Sequence, residues 1–151
     1  MKKQPNSQMC FVCGVANPIG LKLAFYEDEE GQVIAHFTPR EEHQGYPGVL
    51  HGGIIATLLD EVAGRVASHL DLWTTTARLE IRYHQPAPIG QPLTIIGRMT
   101  RLRSRALEAR GEIRLEDGTV AAEASGLYIK LPEDQVEAVK ERLQLWRVVP
   151  D

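Results

Sequence analysis

The sequence predicts an α+β fold in which an antiparallel sheet of about six strands wraps around one long central helix, with a second helix at the C-terminus. Three observations carry this. Between residues 54 and 66, Ile54, Ile55, Leu58, Leu59, Val62 and Val66 recur at helical spacing, an apolar face so wide that something large must cover it. Beyond the helix the hydrophobic period changes from 3.6 to 2, the repeat of a strand. Finally, Asp117-Gly118 is a hairpin turn: with those two residues as the loop, Leu115 faces Val120, Ile113 faces Ala122, Gly111 faces Ala124 and Leu107 faces Tyr128.

Residues 1–19 form an N-terminal extension to a single domain that occupies residues 1–151. The extension carries Cys10-Phe11-Val12-Cys13. Such a pair could supply half a zinc site or a redox couple, but zinc takes four ligands, no second knuckle exists and the five histidines lack ligand spacing. No metal is expected, and the pair is assigned to a buried turn. Next, Leu21, Leu23 and Phe25 alternate with Lys22 and Ala24, as in a half-buried strand from Gly20 to Phe25. Gln32–Phe37 is its partner across an acidic turn. Thr38 to Tyr46 is polar and irregular, Pro47-Gly48 turns the chain, and the helix is expected from His51 to His69.

After the helix, Trp73, Thr75, Ala77, Leu79, Ile81 and Tyr83 share the buried face of a long strand. Residues 91–103 form another, interrupted by Gly97. On the last hairpin, Glu108, Arg110, Glu112, Arg114 and Glu116 make a solvated face of alternating sign. Residues 133–146 read as an amphipathic helix with Val136, Val139, Leu143 and Trp146 inward.

The composition is that of a globular domain, 43% hydrophobic and 25% charged, and a net charge of −3 argues against nucleic acid as a partner. No apolar run approaches the roughly 20 residues of a membrane span, and the polar start has no signal-peptide core. A cytoplasmic protein without a membrane partner is expected.

One stretch points to chemistry. Gly53, Ala56, Ala63, Gly64 and Ala67 form a stripe of small residues along the helix, with Asp60 in its middle. The segment GYPGVLHGGIIATLLDE resembles the signature of the hotdog-fold acyl-CoA thioesterases of the PaaI type. CFVCGVANPIGLKLAF is similar to the N-terminal segment of one branch of that family, and TARLEIRYHQPAP to the strand that follows its central helix. The resemblance implies a thioester hydrolase that works as a homodimer, often a dimer of dimers, with sites at the subunit interface. Its substrate is an acyl-CoA, and it uses no cofactor beyond the coenzyme A of that substrate. It also implies a hydroxyl residue on the strand after the helix, here Thr76. Where many relatives carry an Asn six residues before His51, this chain has Gly45, with Gln44 beside it.

The residues support that chemistry in their own right. The first turn of a helix has amides without intrahelical partners and the positive end of the dipole, so it suits a carbonyl oxygen that gains negative charge. Gly52 and Gly53 leave that turn bare. Gly52, His51, Asp60 and Thr76 are therefore the candidate catalytic residues, with Gly53 and Tyr46 as candidate substrate contacts. Asp60 lies eight residues beyond Gly52, roughly 12 Å along the axis at about 1.5 Å per residue. One thioester cannot touch both on one helix. Two helices packed antiparallel about a two-fold axis through the small-residue stripe would bring Asp60 of one chain to Gly52 of the other. Asp60 would then activate water or attack the carbonyl itself. Strict alternation puts Thr76 on a face with Arg78 and Glu80, away from the core, so its role would need a bulge.

Among the remaining charges, Glu61 is explained by an ion pair with Arg65 one turn on. Arg98, Arg101, Arg103 and Arg105 read as a solvated strand face, with coenzyme A phosphates as the alternative. Two other functions are compatible with the pattern. A 3-hydroxyacyl-thioester dehydratase or hydratase would draw on His36, and a non-catalytic acyl-CoA-binding protein would need only the fold.

Overall fold

A computed structural model describes all 151 residues. Its elements in chain order are β1 (Lys2–Lys3), β2 (Asn6–Ser7), β3 (Phe25–Glu27), β4 (Val33–Phe37), α1 (Gly52–Gly64), β5 (Thr74–Tyr83), β6 (Leu93–Leu102), β7 (Ala106–Arg114), β8 (Val120–Lys130), α2 (Glu133–Arg142) and β9 (Trp146–Arg147). A 3₁₀ segment, Arg65–Leu70, prolongs α1, so the helical run ends close to the expected His69. Seven strands form one antiparallel sheet in the order β1-β3-β4-β6-β7-β8-β5, while β2 and β9 pair separately. This is the predicted hotdog fold, with Lys2–Lys3 as an unforeseen outer strand on Tyr26 and Glu27.

Why the helix sits where it does follows from its own side chains and from two glycines of the sheet. Leu58, Leu59, Val62 and Ala63 have no exposed surface. At Gly97 of β6 a Cβ would collide with the Val62 carbonyl, and at Gly111 of β7 it would lie 3.2 Å from the Leu59 carbonyl. The two glycines face each other across the β6/β7 ladder. Gly97 thus does not interrupt its strand; it lets the helix backbone approach the sheet.

The last hairpin keeps the expected register at Ile113–Ala122, Gly111–Ala124 and Leu107–Tyr128. Nearer the turn a bulge sets Arg114, not Leu115, opposite Val120. The Leu115 amide bonds the Thr119 carbonyl at 2.8 Å, and Gly118 takes φ 87°, so the loop is three residues with a left-handed glycine at its end.

Three further expectations are corrected. Gly20–Ala24 is not ladder: Lys22 has φ 54°, and the Leu21 and Leu23 amides bond the Phe11 and Val12 carbonyls of the cysteine turn at 2.8 and 2.9 Å. The C-terminal helix stops at Arg142 and buries none of its residues, because Gln144 adopts a left-handed φ of 61° and redirects the chain. Trp146 instead enters β9 opposite Ser7 and packs on Trp73, ring centroids 5.1 Å apart. The small-residue stripe is also divided, since Ala63 and Ala67 are buried within the chain and Gly64 makes room for the Tyr128 ring, whose Cε1 would be 3.2 Å from a Cβ. Those three are not available to a second helix.

Gly97→Ala is expected to destabilise the fold by about 1–3 kcal/mol, the usual cost of overpacking a tight contact, read from the midpoint of urea unfolding. An unchanged midpoint would mean that the helix can retreat from the sheet freely.

Candidate active site

Thr76 reaches the helix because β5 is bulged. The pairing with β8 shifts between Thr76 and Arg78, leaving Ala77 unpaired. One extra residue reverses the alternation, so Thr76 points inward opposite Tyr128, and so do Leu79 and Ile81 further along, opposite Gly126 and Ala124. Trp73, Thr75 and Ala77 therefore do not continue the face of Leu79 and Ile81, and even these two are only half-buried. The long buried face expected of β5 is absent because the core cluster draws on α1, β3, β4, β6, β7 and β8, while β5 forms the rim.

Asp60, half-buried near the C-terminal end of α1, meets two hydroxyls at one oxygen. Thr76 Oγ1 donates to Asp60 Oδ1 at 2.9 Å, and Tyr128 Oη donates to the same atom at 3.2 Å, sharing its proton with the Asp60 main-chain carbonyl at 3.2 Å. Burial, and next the adjacent Asp60 charge, push the Tyr128 phenol well above its ordinary 10.0, so it remains a donor at neutral pH. Both hydroxyls fall on Oδ1, which leaves Oδ2 available for chemistry. The carboxylate lines a cleft of about 480 Å³ together with Thr76, Tyr128, Cys10, Cys13 and Glu61.

The helix N-terminus is built separately. The His51 amide bonds the His43 carbonyl at 3.0 Å, and the buried His43 ring accepts the Arg40 amide at 2.9 Å. Burial, with Arg40 adding to it, lowers the His43 pKa and favours the neutral ring that can accept this bond. His51 is the N-cap: its Nδ1 accepts the Gly53 amide at 2.8 Å, and its carbonyl accepts Ile54 and Ile55. Of the first-turn amides, this leaves that of Gly52 without a partner. Tyr83 Oη donates to the Gly52 carbonyl at 2.8 Å, linking the far end of β5 to the same turn.

Within one chain the candidates fall into two groups. Asp60 and Thr76 are together in the cleft; His51, Gly52, Gly53 and Tyr46 are not part of its lining. Gly53 is committed to the cap, and Tyr46 stands 87% exposed on the loop before the helix. Gln44 Oε1 caps its own turn by accepting the Gly48 amide at 3.1 Å. His36 is exposed on β4 and does not line the cleft. The arginines remain outside, with Arg98 Nε bonded to Gln32 Oε1 at 2.6 Å and Arg103 3.4 Å from Glu108.

Sequence reasoning missed Tyr128 as a partner of Asp60. The hairpin register paired it with Leu107, but Gly126 and Gly64, which leave space for its ring, gave the only further sign. It also understated Glu61. Its pair with Arg65 is real, at 2.9 Å, yet its carboxylate also faces the two cysteines, and burial raises its pKa against the opposing pull of Arg65. The two thiols lie side by side, and their interaction raises the pKa of Cys10 and lowers that of Cys13.

The family model described as Thioesterase superfamily matches residues 47–122, half of the chain, and the protein belongs to that superfamily. Acyl-coenzyme A thioesterase THEM4 of Xenopus laevis is 33% identical over 108 residues, which cover 71% of this chain and 49% of that protein. The chain thus spans about half the length of this relative. Among solved structures, a thioesterase superfamily protein superposes with a TM-score of 0.77 at 33% identity, covering 81% of this chain and 63% of its own. The E. coli PaaI protein superposes at 0.70 with 17% identity, covering 74% and 81%, a likeness of fold alone. No helix here is long and apolar enough to cross a membrane.

Tyr128→Phe keeps the ring and removes the hydroxyl, and Thr76→Ala removes the other donor. In an acyl-CoA hydrolysis assay each is expected to lower kcat by on the order of 10- to 100-fold with KM nearly constant, the result for an Asp60 that serves as base or nucleophile and is misaimed without loss of binding. Steady-state kinetics decide; a change confined to KM would assign the hydroxyls to substrate binding.

Proposed function

We propose that this protein is an acyl-CoA thioesterase, hydrolysing an acyl- or aryl-CoA thioester to the free acid and coenzyme A. The observation that carries this reading is the Asp60 carboxylate, oriented by Thr76 and Tyr128 and facing a cleft with its second oxygen free. As general base, Asp60 takes a proton from water while the water oxygen bonds to the thioester carbon. The carbonyl oxygen gains charge, the C–S bond then breaks, and the departing thiolate receives a proton. As nucleophile, Asp60 would form the C–O bond itself, and water would cleave the resulting anhydride. Either course needs a donor at the carbonyl oxygen, and the Gly52 amide at the positive end of α1 suits that task.

The unit is proposed to be a homodimer, alone or as a dimer of dimers, with each site completed across the interface. Two observations support this. Asp60 and Gly52 lie too far apart on one helix to share a substrate atom. In addition, β5 is a ten-residue edge strand, largely exposed and paired on one side only, a kind of edge that proteins normally cover. Coenzyme A enters as part of the substrate, and no other cofactor is needed for the reaction as written. The exposed position of His36 gives the dehydratase reading no comparable support.

Thiol release from a panel of aryl and straight-chain acyl-CoAs, followed with a thiol-trapping dye, tests the reaction. Asp60→Asn should stay folded and lose roughly 10²- to 10⁴-fold in kcat, the span of general acid–base catalysis; turnover equal to native would remove Asp60 from the mechanism. The shared site is tested by mixing two inactive chains, Asp60→Asn and a Gly52→Val chain whose helix N-terminus is covered. Random reassociation should restore about a quarter of native activity, because half the dimers are mixed and each mixed dimer has one intact site. No recovery from verified mixed dimers would confine the site to one chain.

A further inference from the structure

The cysteine turn is built more tightly than a surface loop requires. Asn6 Nδ2 donates to the Cys13 and Leu23 carbonyls at 2.8 and 3.0 Å, and the Leu21 and Leu23 amides hold Phe11 and Val12. Within the turn, the Val12 amide points at Cys10 Sγ at 3.4 Å, the Gly14 amide bonds the Cys10 carbonyl at 2.8 Å, and the Cys10 amide bonds Ser7 Oγ at 3.2 Å. Gly14 is required there, since a Cβ would collide with the Cys10 backbone. Two sulfurs are thus presented side by side, with an amide hydrogen bond to one of them.

What the sequence did not disclose is the third group. Glu61 of α1 reaches the turn, and one carboxylate oxygen and both sulfurs lie within 4.8 Å of one another. Zinc bonds sulfur at about 2.3 Å and oxygen at about 2.0 Å, so tetrahedral ligands lie about 3.5–3.8 Å apart. A closure of about 1 Å would bring these three onto one ion, a movement within reach of side-chain rotation. The charges are also suitable. Two thiolates and a carboxylate carry three negative charges, the divalent ion removes two, and Arg65, 2.9 Å from Glu61, offsets the third. The cleft adjoins all three groups and gives water access to a fourth position.

We propose that Cys10, Cys13 and Glu61 form a binding site for a thiolate-seeking divalent cation of the zinc class, which clamps the N-terminal turn to the helix that carries Asp60. The ion would hold the turn on the helix; thiolate pairs favour zinc over hard cations, and the hydrolysis as written does not use it. The inference does not depend on the proposed reaction, because its readouts are spectroscopic and thermal.

The test is anaerobic titration of the reduced, chelator-treated full chain with Co²⁺ and then Zn²⁺. One equivalent of cobalt per chain should bind with a near-ultraviolet thiolate-to-cobalt charge-transfer band, zinc should displace it, and the melting temperature should rise with zinc. The Cys10→Ser/Cys13→Ser double variant should lose the band. Glu61→Gln should retain it with affinity weakened by at least about tenfold, the lower end of what disturbing even an outer-shell partner costs. Circular dichroism of the metal-free variants checks that they are folded, and the native chain provides a test without them. Absence of the charge-transfer band in the reduced native protein would overturn the proposal, as would stoichiometric uptake that survives loss of both cysteines, or binding unaffected by Glu61→Gln.

Discussion

The close approach of one helix to the middle of the sheet is the constraint on which the rest depends. Gly97 and Gly111 remove the side chains that would hold Val62 and Leu59 away, and the helix settles with its carbonyls against the strands. Burial of Leu58, Leu59 and Val62 supplies the attraction, at roughly 1.5–3 kcal/mol for each large apolar side chain. Because that depth is set by backbone contact, the height of Asp60 above β8 and β5 is also set. The two hydroxyls can then be hydrogen-bond partners of the carboxylate and not merely its neighbours.

The far end of the helix is anchored by a different kind of interaction. Arg65 is buried, with its guanidinium 4.3 Å from the Phe25 ring centroid, its Nε on Glu61, and its Nη1 on the Pro5 carbonyl at 2.9 Å. A buried cation without partners would be costly, but here a carboxylate, a carbonyl and an aromatic face share the charge. The same residue lies 5.6 Å from the Trp146 ring centroid. Segments from both termini therefore converge on the final turn of α1, beside the cleft, and the two cysteines are part of that arrangement.

Much of the architecture was legible because it is written in short-range periodicity. The apolar face of α1 and the alternation around Ile113 and Ala122 have local causes, and both are found as read. Asp60 stood out for a similar reason, as an acid among small residues. The failures lie where a distant segment competes for the backbone. Leu21 and Leu23 alternate like a strand, but their amides are taken by the cysteine turn. Trp146 has helical spacing from Val139 and Leu143, yet it packs on Trp73 and pairs with Ser7. The contacts of Tyr128 with Asp60 and of Glu61 with the cysteine turn were missed because each crosses the fold, with no spacing rule to announce it.

The bulge at Ala77 has a further consequence for how this strand can change over evolution. Its unpaired residue works as a parity switch: it allows Thr76 on one side and Leu79 and Ile81 on the other to look toward the same interior. A point substitution alters one position, whereas a single-residue insertion or deletion inverts the facing of every residue between it and the end of the strand. Drift in the length of β5 is therefore quantised in pairs. The side chains of the strand could be exchanged one by one, but an odd change in its length would need a second one before the hydroxyl and the apolar positions again shared an interior.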